Sequence, residues 1–153
     1  MSEKSTTELE NVLKSTHPSQ MDKFLNENGS DMKGSPKDFS DYFKGLVKEH
    51  DKTLSEVFIE ADISERYGYK LISGEKRTRQ RDVILRLCYA AGFDLDETQK
   101  ALRLYELPEL YVRIPRDALL MSLFNDRVGS VLDVNEYLKS HGVAALRPCG
   151  AVE

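Results

Sequence analysis

Residues 53–78 read TLSEVFIEADISERYGYKLISGEKRT, and the way this stretch divides into elements decides the fold. Thr53 followed by Glu56 has the form of a capping box: the hydroxyl accepts an amide proton from the first helical turn, while the carboxylate reaches back to the cap amide. A helix starts there. Val57, Phe58 and Ala61 form its inner face, and Asp62 ends it, since Asp tolerates left-handed backbone better than most residues other than glycine. Ser64 caps a second short helix, which Gly74 terminates. Tyr67 and Tyr69 point to different faces of it; Tyr67, four residues before Leu71, is assigned to the core and Tyr69 to the outer or half-exposed side.

The same periodicity continues on both sides. Upstream, Phe39, Tyr42, Phe43, Leu46 and Val47 fall on one stripe, which predicts an amphipathic helix from Asp38 to near His50. Downstream, a helix is predicted from about Arg79 to Ala91, with Ile84, Leu85, Leu87, Cys88 and Ala91 inward and Gly92 as its stop. Another is expected from about Asp94 to Leu107, before Pro108. RDALLMSLFNDRVG and SVLDVNEYLKSHG supply two more, the second capped by Ser130 and closed by Gly142. No segment alternates with period two, so the chain reads as all-α. RDVILRLCYAAGFDLDETQKAL and RDALLMSLFNDRVGSVLDVNEYL echo each other as similar helical hairpins, two copies being too few for a solenoid. Residues 1–37 form an N-terminal extension, either short helices around Leu9, Val12, Leu13 and Met21, Phe24, Leu25 or disorder, and 146–153 form a flexible tail.

Composition narrows the function. The chain has 153 residues, 40% of them apolar, which suffices for one principal core. With 22 basic and 26 acidic residues the net charge is −4, so attraction to phosphate must come from a local patch. Cys88 and Cys149 are too few for a disulfide framework, and the start MSEKSTTELE lacks the pattern of a signal peptide, which predicts a cytoplasmic protein without a membrane role. His17, His50 and His141 show no metal-ligand spacing, and no phosphate loop, dinucleotide fingerprint or nucleophile elbow is present. No enzyme, metal or cofactor is therefore expected.

TLSEVFIEADISERYGYKLISGEKRT together with the two helices after it resembles a lambda-repressor-like helix-turn-helix domain of the XRE type, over roughly residues 38–107. The tail pattern Leu110-Tyr111, Arg116-Asp117 and Asn135-Glu136-Tyr137-Leu138 is similar to that of small bacterial XRE-like proteins. The resemblance implies a five-helix DNA-binding domain followed by a C-terminal helical hairpin at 108–145. It also implies a transcriptional regulator that inserts helix 64–73 in the major groove of double-stranded DNA, commonly as a homodimer.

Position by position, Ser64 matches the family's cap of the recognition helix, and Glu65, Arg66, Tyr69 and Lys70 match its outward side. Those four are the candidate base contacts: Arg66 to guanine O6 and N7, Glu65 to cytosine N4, Lys70 to a base or a phosphate. Ser64, Lys76, Arg77 and Arg79 are the candidate backbone contacts, for between Lys70 and Arg81 five positive residues oppose Glu75 alone. Three positions depart from the family: Leu54 stands where Gln is common, Phe58 where a small residue is usual, and Asp62 where the turn glycine falls. Phe58 at a close helix crossing threatens overpacking of about 1–3 kcal/mol. Gly68 replaces an aliphatic residue of the family, so Phe58 is predicted to pack over it, offsetting large with small. The alternative function is a protein-interaction module that keeps the fold, binds a protein partner and has no DNA affinity. The apolar residues Leu119, Leu120, Leu123, Phe124, Val131 and Leu132 of the hairpin either form the dimer surface or close the core.

Overall fold

The computed structural model describes residues 36–149, all within the second of the two units, Met1–Ser35 and Pro36–Glu153, into which the chain divides. The helices expected around Leu9–Leu13 and Met21–Leu25 lie outside the described residues. Seven helices and no strand occur among the described residues: α1 Pro36–Glu49, α2 Leu54–Ala61, α3 Glu65–Ser73, α4 Arg81–Ala90, α5 Leu95–Leu104, α6 Pro115–Asn125 and α7 Val131–Ser140. The protein is all-α over this range, and none of these helices is long and apolar enough to cross a membrane.

Local chemistry sets the boundaries. Thr53 Oγ1 accepts from Glu56 N at 3.2 Å and the Glu56 carboxylate accepts from Thr53 N at 3.3 Å, which starts α2. Asp62 is left-handed, with φ 58° and ψ 48°, and turns the chain into Ser64, whose Oγ accepts from Tyr67 N at 3.3 Å. Gly74 ends α3 at φ 84°. α4 starts two residues later than predicted, because Thr78 Oγ1 accepts from Gln80 N at 3.0 Å and Gln80 stays extended. α5 ends three residues earlier than predicted: Glu106 adopts φ 61°, and the chain turns so that Leu107 N donates to Leu102 O at 2.9 Å.

α4 is the central element, packed against α2, α5 and α7, and every residue from Asp82 to Ala90 is buried. A helix surrounded on all sides has no polar face to spare. Its one internal cation, Arg86, is accordingly held by three carbonyls, Arg147 O at 2.7 Å, Leu146 O at 2.8 Å and Ala61 O at 3.3 Å. Burial pushes its guanidinium below the ordinary range, opposed by Asp62 and Asp82. α1 adds an aromatic wall, Phe39 stacking on Phe43 at 5.5 Å and meeting Tyr105 edge-on at 4.7 Å.

Phe58 lies over Gly68: a Cβ built on Gly68 would fall 2.5 Å from Phe58 Cδ1. Real Cβ atoms do not approach that closely, so glycine is what lets α2 and α3 cross with a phenylalanine between them. Tyr67 is half-buried against the core, and Tyr69 is exposed with its ring edge-on to Phe58 at 5.1 Å. In the hairpin, Leu120, Leu123, Phe124 and Val131 are buried and Leu119 half-buried, while Leu132 is 70% exposed. Most of the apolar surplus of that hairpin is spent on the core. After α7 the chain is tied back at Leu146 and Arg147, the first two residues of the stretch 146–153 that the sequence suggested as a loose tail, of which 150–153 lie outside the described residues. Leu146 is buried, its N–H donates to Asn135 Oδ1 at 2.8 Å, and its carbonyl is one of the three on Arg86. A single leucine with a buried cation beneath it holds that stretch down.

Candidate nucleic-acid interface

α3 owes its exposed side to the left-handed turn at Asp62, which ends α2 three residues before α3 begins and leaves Glu65, Arg66 and Tyr69 outside the core. Ser64, Arg66, Tyr67, Lys70 and Lys76 line one shallow depression of about 280 Å³. Arg66 and Lys76 are exposed and Lys70 is half-buried. Lys76 reaches this place because Gly74 lets the chain fold back, so that Lys76 N donates to Lys70 O at 3.1 Å. Three cations and a helix-capping serine thus line one basin that runs along α3, from its capping residue to its last turn. Such a set suits an anionic oxygen, from phosphate or from a base edge.

The other predicted contacts go elsewhere. Glu65 accepts a 2.6 Å hydrogen bond from Ser55 Oγ, which ties its carboxylate to α2. Tyr69 rests on Phe58 and does not line the basin. Arg77 donates to Tyr105 O at 2.7 Å and lies 4.4 Å over the Tyr105 ring, a cation–π contact that draws it toward α5. Arg79 lines a neighbouring depression of about 350 Å³ with Arg77, Thr78, Tyr105, Glu106 and Leu107. Of the eight residues, then, Ser64, Arg66, Lys70 and Lys76 converge, Glu65 and Tyr69 lean on α2, and Arg77 and Arg79 follow the loop away.

Sequence reasoning missed a reciprocal ion-pair cluster at the starts of α4 and α6. Arg81 forks onto Asp117 at 3.0 and 2.5 Å, and Arg116 forks onto Asp82 at 3.0 and 2.8 Å. The two Arg-Asp dipeptides exchange partners, with Asp117 only 1% exposed. Asp117 also accepts from Tyr111 N at 2.9 Å, and Asp82 from Arg147 N at 2.9 Å. The repeated Arg-Asp in the two echoing hairpins was the signal available for this cluster. Each dipeptide alone reads only as a helix first turn.

Among the described residues no group of three His, Cys, Asp or Glu side chains is placed to hold a metal ion. His50 bonds Glu97 at 3.0 Å and lies against Phe93, and His141 bonds Tyr137 O at 2.9 Å. Cys88 is buried, and desolvation pushes its thiol well above the ordinary value, which suits a packing residue and not a nucleophile. No protein-family model, curated protein or solved structure matches the chain.

Proposed function

We propose that this protein is a cytoplasmic, sequence-specific DNA-binding regulator of the lambda-repressor-like, XRE type, reading the major groove with α3. The observation that supports this reading is the convergence of Arg66, Lys70 and Lys76 with the capping Ser64 around one basin on a short exposed helix. In it Arg66 donates to a guanine and Lys70 to a base or phosphate, while Ser64 and Lys76 hold the backbone. Single domains of this size hold few phosphates, so a homodimer reading half-sites about 34 Å apart follows. Leu132, exposed on α7, belongs to its contact surface.

The test is fluorescence anisotropy on random duplex DNA over a salt series, followed by selection of bound sequences from a random pool. Lys76→Ala should weaken binding to all sequences alike and lower the salt slope by about 1. Arg66→Ala should relax preference at one position, costing about 1–3 kcal/mol there. Negligible binding by wild type and by the Arg66, Lys70, Lys76 triple alanine variant alike would overturn the reading. A second reading, a protein-interaction module without DNA affinity, is favoured by Ile59, 79% exposed on α2, and by the tie of Glu65 to Ser55.

A further inference from the structure

Arg86 joins two stretches of chain that are far apart in sequence and both outside its own helix. Its Nη1 donates to Ala61 O at 3.3 Å, and Ala61 is the last residue of α2. Its Nε and Nη2 donate to Arg147 O at 2.7 Å and Leu146 O at 2.8 Å, in the segment that follows α7. A guanidinium is planar and rigid, so its acceptors are held at fixed positions relative to one another. The residue is 6% exposed, and a carbonyl that moves away leaves a buried donor unmatched.

On the α2 side, Arg86 places a cation at a helix C-terminus, where positive charge is favourable. The turn follows at once: Asp62 is left-handed, its N–H donates to Ile59 O at 3.1 Å, and the N–H of buried Ile63 donates to Phe58 O at 3.0 Å. Ser64 then caps α3. Ala61 O, three residues before that cap, is thus a fixed point for the direction in which α3 leaves the turn. On the other side, residues 144–147 belong to no helix and are held by side chains. Leu146 N donates to Asn135 Oδ1 and Arg147 N to Asp82, while Ala144 O and Ala145 O accept from Arg116 at 2.9 and 3.1 Å. Cys149 is half-buried against the core. Burial raises its thiol pKa, and the charges that act on it are Arg86 and Asp62, so the segment runs on from Arg86 toward the α2–α3 turn.

We infer that residues 146–149 regulate the α3 surface, with Arg86 as the positioning residue that transmits their placement to α2 and the turn. The DNA-reading role proposed for α3 is the basis of this regulation. With the segment seated, Arg86 holds Ala61 O and α3 keeps one heading. With the segment lifted, Arg86 loses two of its three acceptors, and its hold on the end of α2 goes with them. Neither Leu146 nor Arg147 lines the basin of Arg66, Lys70 and Lys76, so control of DNA affinity is indirect.

Amide chemical shifts and DNA anisotropy of the full chain test this, at a temperature where every variant is folded. Leu146→Ala and the milder Asn135→Ala, which deletes the acceptor of Leu146 N, should each move the amide signals of residues 62–70 and weaken affinity for random duplex DNA by about fivefold or more. Arg86→Lys keeps the charge without the fork and should reproduce those shifts. Leu120→Ala, an equal truncation of a buried leucine on α6, which packs against α5 and α7, should lower Tm and leave both readouts as in wild type. Shift changes confined to residues 135–149 and the neighbours of Arg86, with α3 unmoved, would refute the inference. Unchanged DNA affinity beside moved α3 signals would do the same. Should wild type bind no DNA, the DNA-reading role fails, and the α3 signals alone decide whether the segment positions that helix.

Discussion

Gly68 and Phe58 form a matched pair whose energetics can be separated. Alanine at 68 would gain about 1 kcal/mol of helix propensity, yet its Cβ would fall 2.5 Å from the Phe58 ring, so Gly68→Ala should destabilise by roughly 1–3 kcal/mol. Phe58→Leu alone leaves unfilled space and also loses stability. The double variant should be more stable than the two single losses added together, a positive coupling readable by urea denaturation. Additivity within about 0.5 kcal/mol would mean the ring moves aside at no cost. Cys88 makes a second prediction. Its thiol ordinarily ionises near 9.0, and burial raises that value in the folded protein, so above about pH 9 only the unfolded chain loses the proton. Stability is intact below that pH and falls above it, by up to about 1.4 kcal/mol per pH unit from this one group. Tyr42, raised chiefly by desolvation and next by Glu97, adds the same sign above pH 10. Cys88→Ala should flatten the decline between pH 9 and 10 relative to wild type, whatever its own starting stability.

Among elements, the sharpest case is the exchange between the starts of α4 and α6. Removing Arg81 leaves the buried Asp117 carboxylate, which also accepts from Tyr111 N, without its cation, so Arg81→Met should cost about 3–5 kcal/mol. Removing both partners, with Arg81→Met and Asp117→Leu together, should cost distinctly less than the single change, as thermal melts would show. The caps and stops of α2 and α3 were legible in the sequence, because Thr53, Glu56, Asp62, Ser64 and Gly74 act on backbone within four residues of themselves. The Arg-Asp exchange was not, for its partners are 34 and 36 residues apart and only folding reveals who meets whom. The candidate basin divides the same way. Ser64, Arg66 and Lys70 came from the match to the resembled helix-turn-helix pattern, whereas the diversion of Arg77 depends on Tyr105, 28 residues on.

At the scale of the whole molecule, the all-α class was legible because no stretch alternates with period two, and so was the inward set Ile84, Leu85, Leu87, Cys88 and Ala91 of the central helix, whereas the burial of Val83, Arg86, Tyr89 and Ala90 on its other side was not. The packing of residues 143–147 was hidden, since one leucine among alanines, arginine and proline carries no periodic signal. Arg86 decides it, by drawing the carbonyls of Leu146 and Arg147 onto the middle of the central helix, together with that of Ala61. In hydrogen–deuterium exchange, the amides of Leu146 and Arg147, which belong to no helix but donate to Asn135 and Asp82, should resist labelling almost as long as those of α4. Labelling within seconds would show that this strap opens alone. Slow labelling would make it part of the last cooperative unit to unfold, so that the α2 terminus and the post-α7 strap melt together.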